Sequence, residues 1–250
     1  MKFIIGLSII INYAFSITGL EIAELVESRL KPIDIKSTNT MTLTNKDNKI
    51  KKLELISMSK ENSKKQMIWF LEPKKDMGIA FLKIENEEDE DFMTMWLPGF
   101  SRFKRIKSSQ KSDSFMGSDL SFEDLTNRDI NDYEYTLVDE NASCSDYERG
   151  CYKLISKPKN IDSEYSYHIT WITKDNYLSV IEESYDKNKE LLKKKLIEFE
   201  KMDEYYIMNK LNVKNIQKNH STLLEIQNIS LNNDFKDSKF SQRSLKIIPK

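Results

Sequence analysis

The chain has 250 residues, with 39 lysines and arginines against 40 aspartates and glutamates, so its formal net charge is −1. That balance excludes the basic footprint of a nucleic-acid binder. A hydrophobic content of 39% with only 6 glycines and 5 prolines excludes a chain built of disordered linkers.

The N-terminus reads as a targeting segment. Lys2 supplies a positive charge, Phe3 to Tyr13 forms a short apolar run, and Ala14-Phe15-Ser16 fits a small-x-small cleavage site. The apolar run is short of the roughly 20 residues that span a bilayer. Residues 1–16 are therefore predicted to be a cleaved signal peptide, the mature protein is expected to be exported, and the length suits one large domain or two small ones.

Thr18-Gly-Leu-Glu21 has the pattern of a capping box. Leu20, Ala23, Leu25, Val26 and Leu30 follow at helical spacing, and Pro32 stops the helix, which is predicted over 19–31. After Pro32 the period changes to two. Met41 and Leu43, Leu53 and Leu55, Phe81 and Lys83, and Met93, Met95 and Leu97 alternate along strand candidates. The run with Met67, Trp69 and Leu71 is apolar on both parities. Further strands are predicted at 133–138, 152–156, 165–173, 177–185, 191–200, 205–214 and 221–231, with a short closing helix near 240–247. Short polar turns join them, which is the signature of an antiparallel meander. A sheet of about eleven strands is expected to curl or close, and strands apolar on both faces need a second cover, most simply the N-terminal helix.

Candidate chemistry is sparse. The two histidines, His168 and His220, lie in different strand candidates, so no zinc cluster is predicted. No metal or other cofactor is expected. The acidic turn Glu85 to Asp91 lacks the glycine and spacing of a calcium loop. Ser114 and Ser118 have no histidine adjacent in sequence and no elbow motif, so no catalytic residue is assigned and an enzyme is not expected. Cys144 and Cys151 enclose six residues and either clip a hairpin or stay reduced; an exported chain with an even cysteine count favours the bridge. Seven of the ten methionines lie between Met41 and Met116, which suits either an adaptable apolar cavity or an ordinary core. Arg102, Lys104 and Arg105 form a basic segment, open to anionic headgroups or a partner protein, or else a solvated strand face.

"WFLEP" (69–73), "WLPGFSRFKRI" (96–106), "SFMGSDLSFEDL" (114–125) and "DYEYTL" (132–137) occur in that order. Together with "ITWITKDNYLSVIEESYDKNKELLK" and "HSTLLEIQNISLN", they resemble the outer-membrane lipoprotein-sorting protein family, the relatives of the periplasmic carrier LolA. The resemblance covers most of the mature chain. It departs at Met77, where family members often carry a basic residue before the glycine.

The resemblance implies a periplasmic protein whose residues 17–250 form a single domain of mainly-β α+β fold: a curved antiparallel half-barrel, LolA/LolB-like, with a helix and a short helical plug over its open side. It also implies a cavity for acyl chains of lipoproteins or other lipids, lined on this reading by Met41, Leu43, Leu53, Leu55, Met67, Trp69, Leu71, Phe81, Met93, Met95, Leu97, Phe115 and Met116. Arg102, Lys104 and Arg105 are then expected to meet a partner or headgroup. Gly117, Ser118, Asp119 and Phe122 are expected in a lid, with Ser118 capping a helical turn at 119–125. An inner-membrane transporter and an outer-membrane acceptor are the implied protein partners of a monomeric carrier. A lipid-sensing accessory subunit of an envelope transporter or signalling complex is the alternative.

Overall fold

The computed structural model describes residues 16–86, 90–144 and 150–249. The signal-peptide reading of residues 1–16 and the tip of the acidic turn, residues 87–89, fall outside the described residues, apart from Ser16.

A helix α1 (Gly19–Glu27) precedes thirteen strands. These are β1 (Asp34–Thr44), β2 (Ile50–Lys60), β3 (Lys65–Glu72), β4 (Ala80–Ile84), β5 (Phe92–Leu97), β6 (Arg102–Ile106), β7 (Tyr133–Ala142), β8 (Cys151–Pro158), β9 (Tyr165–Thr173), β10 (Ser179–Asp186), β11 (Leu191–Met202), β12 (Tyr205–Asn215) and β13 (His220–Leu231). A one-turn helix α2 (Gln242–Leu245) follows near the C-terminus. The strand missing from the sequence reading is β6, whose arginines and lysine hide its period.

All thirteen strands form one sheet in the order β6-β5-β4-β3-β2-β1-β13-β12-β11-β10-β9-β8-β7, and the neighbouring strands pair antiparallel. The sheet is open rather than rolled: β6 and β7 are its two edges and do not pair. The expectation that so large a sheet must curl or close is met in another way. Its apolar faces are covered by three separate pieces of chain.

The first is a strap, residues 107–132, which leaves β6 at one edge and enters β7 at the other. It therefore crosses one whole face of the sheet, here called the strap face. The second is α1, which lies on the strap face over β7 to β9. Ile22 is fully buried there against Leu154 and Ile172, with Ile17, Ala23, Val26, Leu137 and Tyr152 around it. The third is the C-terminal tail, which covers the opposite face over β2 to β5. Phe240 and Leu245 pack there on Met58, Met67, Trp69 and Leu82, and the Trp69 indole donates to the Leu245 carbonyl at 3.2 Å. So the cover for the strands apolar on both faces is the tail, not α1.

Local sequence explains the placement of these covers. Thr18 and Glu21 form the predicted capping box. The helix stops at Ser28, earlier than Pro32, and there the Ser28 hydroxyl donates to the Leu25 carbonyl at 3.0 Å. Leu20 and Leu30 are exposed; the buried stripe runs Gly19–Ile22 instead. Gly19 sits directly on β7: an added Cβ would lie 2.8 Å from the Leu137 backbone nitrogen. The tail is tied by Asp34, whose buried carboxylate accepts from the Asn233 and Phe235 backbone nitrogens at 2.6 and 2.7 Å.

Candidate functional site

The strap is the structural form of the "SFMGSDLSFEDL" run. It folds back on itself as a small hairpin: Phe115 N donates to Leu120 O at 2.7 Å, Phe122 N to Asp113 O at 3.2 Å, and Glu123 N to Lys111 O at 2.7 Å. Met116 and Gly117 form the tip, both at positive φ, with Ser118 N closing onto Phe115 O at 3.0 Å. A β-turn over Phe115 to Ser118 with both central residues at positive φ favours glycine, which adopts that backbone without a Cβ penalty.

Ser118 is therefore not a helix cap; its hydroxyl donates to Phe115 O at 2.7 Å and accepts from Leu120 N at 3.2 Å. The helical turn is shorter than expected, Glu123–Leu125. Its start is satisfied by a reciprocal pair, Ser121 N to the Asp124 carboxylate at 2.9 Å and Asp124 N to the Ser121 hydroxyl at 3.2 Å.

Beneath the hairpin lies an apolar floor. Met41, Leu43, Leu53, Leu55, Phe81, Met93 and Met95 are all buried in one cluster with Ile68, Phe70, Ile106, Phe115 and Phe122, and Leu97 and Met116 pack against it. Phe115 is the centre of an aromatic group, 5.8 Å from Phe70, 5.3 Å from Phe81 and 5.7 Å from Phe122 between ring centroids. The strap side chains thus fill the place where the sequence reading put an acyl cavity.

Met67, Trp69 and Leu71 are not part of this floor. They lie on the opposite face under the tail. The β3 register places Ile68 opposite Ser57 and Phe70 opposite Leu55, so the even residues of β3 face the strap. A strand covered on both sides is apolar at every position, and its pattern carries no information about which parity faces which cover.

Past the hairpin, Leu120 packs with Leu211 and Val213, and the half-buried Ile197, Met208 and Leu224 continue this apolar strip across β11, β12 and β13.

The strap is bolted to the sheet by polar contacts that the sequence reading missed. On one side, Asp119 accepts from Thr222 Oγ1 and from His220 Nδ1, each at 2.7 Å, and its own N–H donates to Thr222 Oγ1 at 2.9 Å. Lys83, fully buried on β4, reaches the Leu125 carbonyl and the Glu85 carboxylate. Burial lowers the Lys83 pKa, and Glu85 partly offsets that. Glu85 also takes Asn127 N at 2.7 Å, so the acidic turn holds the strap's far end.

On the other side, Asp124 receives Lys195 Nζ at 2.6 Å, Lys193 Nζ at 2.8 Å and the Tyr165 hydroxyl at 2.9 Å. Arg128 forks onto Glu182 at 2.6 and 2.9 Å, and Lys195 also reaches Glu182 at 3.0 Å. His168 is enclosed beside them, its Nδ1 2.9 Å from the Ser184 hydroxyl.

The electrostatics follow from the pairing. Burial would raise the Asp124 carboxyl, but the Lys195 and Lys193 ammoniums outweigh it and hold it far below the usual carboxylate range. Glu182 is lowered likewise against its burial, by Arg128 and then Lys195. Lys195 is raised despite burial by Asp124 and Glu182. Burial and the adjacent Arg128 cation push His168 well below its ordinary value, so it is neutral. Removing one partner of such a group leaves a buried charge uncompensated, a loss of about 3–5 kcal/mol. The sequence signal was present only as the strand spacing of Lys193 and Lys195, which places both on one face; their partner lies about seventy residues away.

The remaining predicted positions are placed as follows. Cys144 and Cys151 are bridged, with Cα atoms 5.9 Å apart. Arg102, Lys104 and Arg105 are exposed on edge strand β6. Arg105 lies over the Phe92 ring at 4.2 Å and Arg102 over Phe100 at 5.2 Å, and Phe100 itself is 73% exposed. Met77 is exposed before Gly78, and the turn is braced by Lys51 on Asp76 at 3.0 Å.

Chemically, the face offers apolar burial. His220 lines the same cleft as Ser114 and Ser118. The Ser114 and Ser118 hydroxyls, however, donate to the backbone carbonyls of Ser118 and Phe115 rather than to His220.

An open antiparallel sheet with one N-terminal helix and a strap across the sheet is a LolA-like, mainly-β fold. The solved structures agree. An outer membrane lipoprotein-sorting protein domain from Vibrio parahaemolyticus is 26% identical, with a TM-score of 0.85 over 92% of this chain and 98% of that one. A DUF1329 family protein from Desulfovibrio piger is 27% identical, with a TM-score of 0.83 over 91% and 97%. A LolA superfamily protein from Nitrosomonas europaea shares the fold at 18% identity, with a TM-score of 0.72 over 92% and 100%. No curated protein matches the chain. A family model described as "Uncharacterized protein" matches residues 62–247, and the chain belongs to that family.

Proposed function

We propose that this protein is a periplasmic carrier that takes up acyl chains of lipoproteins, or of another lipid, on the strap face and moves them towards the outer membrane. The fold is shared with an outer membrane lipoprotein-sorting protein domain and with a LolA superfamily protein, which supports the reading, and no helix among the described residues is long and apolar enough to cross a membrane. The observation that carries the reading is the strap hairpin. It is internally hydrogen-bonded, it covers an apolar floor with Phe115 and Phe122, and it adjoins a half-buried apolar strip at Ile197, Met208 and Leu224. In this reading the strap stands in for cargo and lifts as a unit when an acyl chain enters. Each methylene buried is worth about 0.8 kcal/mol, so a short length of chain offsets the loss of strap contacts. The protein acts as a monomer, takes cargo from an inner-membrane transporter and passes it to an outer-membrane acceptor. It performs no covalent chemistry.

Mass spectrometry of lipid extracted from the purified mature protein, with uptake of a fluorescent acyl probe, tests the reading. Bound lipid or saturable uptake is expected; the absence of both overturns it. Esterase activity lost in Ser118→Ala would overturn the non-enzymatic part.

The unpaired edge strand β6 supports a second reading, an accessory subunit of an envelope complex. Its exposed basic residues beside Phe100 offer a strand edge for a partner to extend. A stable stoichiometric complex in pull-downs, without cargo transfer between membranes, would favour it.

A further inference from the structure

Two clefts open at the end of the sheet where the hairpin tip lies, one on each side of the Asn45–Lys46 turn between β1 and β2. One, of about 310 Å³, runs between the hairpin (Ser112, Ser114, Gly117, Ser118, Asp119), that turn, and the β12–β13 turn at Asn215, Lys218 and His220. The other, of about 340 Å³, is lined by Lys46, Lys194, Lys214, Asn212, Asn219 and His220 among others, with no carboxylate in its lining. Lys46 and His220 line both.

The charge of the cleft linings is unbalanced. The first cleft contains two carboxylates, and both are occupied: Asp119 by Thr222 and His220, Glu164 by Lys193 at 3.3 Å. Lys194 is paired with Glu183 at 3.1 Å. Lys46, Lys214 and Lys218 have no carboxylate partner among the described residues. Ser112, Asn45 and Asn219 line the same clefts, and Ile50 at the start of β2 and Ile216 on the β12–β13 turn are exposed, at 70% and 40%. A Cβ added at Gly117 would meet nothing within 4 Å, so the hairpin tip borders open space.

We propose that these clefts bind the phosphate groups of anionic phospholipid, docking this end of the sheet on a membrane surface with the hairpin tip towards the bilayer. Ammonium groups without carboxylate partners are the match for phosphate, hydroxyl and amide donors complete its hydrogen bonding, and exposed isoleucines beside lysines suit the headgroup boundary. The apolar floor under Phe115 and the apolar strip under Leu120 adjoin the hairpin that Gly117 tips. A lipid tail leaving the bilayer at this end therefore meets the strap first. This inference rests on the carrier reading and names the surface it faces.

The test is co-sedimentation of the full chain with vesicles of phosphatidylglycerol or of phosphatidylcholine at low and at moderate salt. Salt-sensitive binding to phosphatidylglycerol alone is expected. Replacing Lys46, Lys214 and Lys218 together with glutamine should weaken it about a hundredfold, roughly fivefold per lysine, with unchanged circular dichroism and unchanged acyl-probe uptake. The edge variant Arg102→Gln/Lys104→Gln/Arg105→Gln should bind as the wild type. Equal binding to both vesicles, an unaffected lysine variant, or loss of binding in the edge variant instead would each overturn the inference. Release from vesicles by millimolar inorganic phosphate would assign the clefts to a soluble phosphate and overturn the lipid assignment. Because acyl-probe uptake is read separately, failure of uptake in the wild type counts against the carrier reading and leaves phosphatidylglycerol binding to decide the docking surface.

Discussion

Asp119 at the strap and His220 on β13 lie 101 positions apart and share a 2.7 Å hydrogen bond between Oδ2 and Nδ1. With Thr222 on the same carboxylate, this is one of the contacts that hold the hairpin down. Asp119→Ala removes an acceptor of two bonds and leaves the buried Thr222 hydroxyl with fewer partners, at a loss of about 1–3 kcal/mol. The expected outcome is faster hydrogen exchange of the amides in 112–125, with little change in β9 to β12, and greater acyl-probe uptake. Uniformly faster exchange throughout the sheet would contradict a local latch.

Phe115 touches the floor at its centre. Phe115→Ala should destabilise the protein by about 3–5 kcal/mol, a fall in Tm of roughly 2–4 °C per kcal/mol for a chain this long. Phe100→Ala, at the exposed β5–β6 tip, should stay within about 0.5 kcal/mol of the wild type. Thermal denaturation of both variants side by side checks the contrast.

Acid should destabilise the protein in two stages. His168 has a lowered pKa in the folded state, so below its unfolded value of about 6.5 the unfolded chain binds the extra proton and stability falls with pH, by up to about 1.4 kcal/mol per unit. Asp124 and Glu182 are also lowered. Their contribution is present above the unfolded carboxylate values, about 4, and is lost as pH falls through the lower folded ones. Denaturation midpoints measured from pH 8 to pH 3 should show both slopes, and His168→Gln should abolish the first while leaving the second.

The Cys144–Cys151 bridge closes a short loop at the β7–β8 end. Reduction should lower stability by about 2–3 kcal/mol, the chain-entropy value for a loop of this size. Thiol reagents added to denatured protein before and after reduction will show whether the cysteines react only in the second case.

Much of the fold can be read along the chain. Thr18 and Glu21 announce α1, and the alternation of Met93 and Met95 with Thr94 announces β5. Other positions resist such reading. β6 was obscured because an edge strand carries arginine and lysine where a central one carries valine. The pattern places Met67, Trp69 and Leu71 among the cavity-lining residues although the tail covers them, since β3 is apolar at both parities. Asp124, Lys193 and Lys195 look like surface charges in sequence, and only the crossing of the strap brings them together at 2.8 and 2.6 Å.

Local sequence alone determined where strands, turns and the first helix form, because backbone period, capping and positive φ are set by residues within a few positions of one another. It also set the unusual composition of the strap. The tertiary structure decided which cover lies on which face, and which buried charges neutralise each other. Those outcomes depend on strand register and on a connection that runs from one edge of a thirteen-stranded sheet to the other. The energy of a buried lysine or aspartate is fixed by the group it meets there, not by its neighbours in the chain.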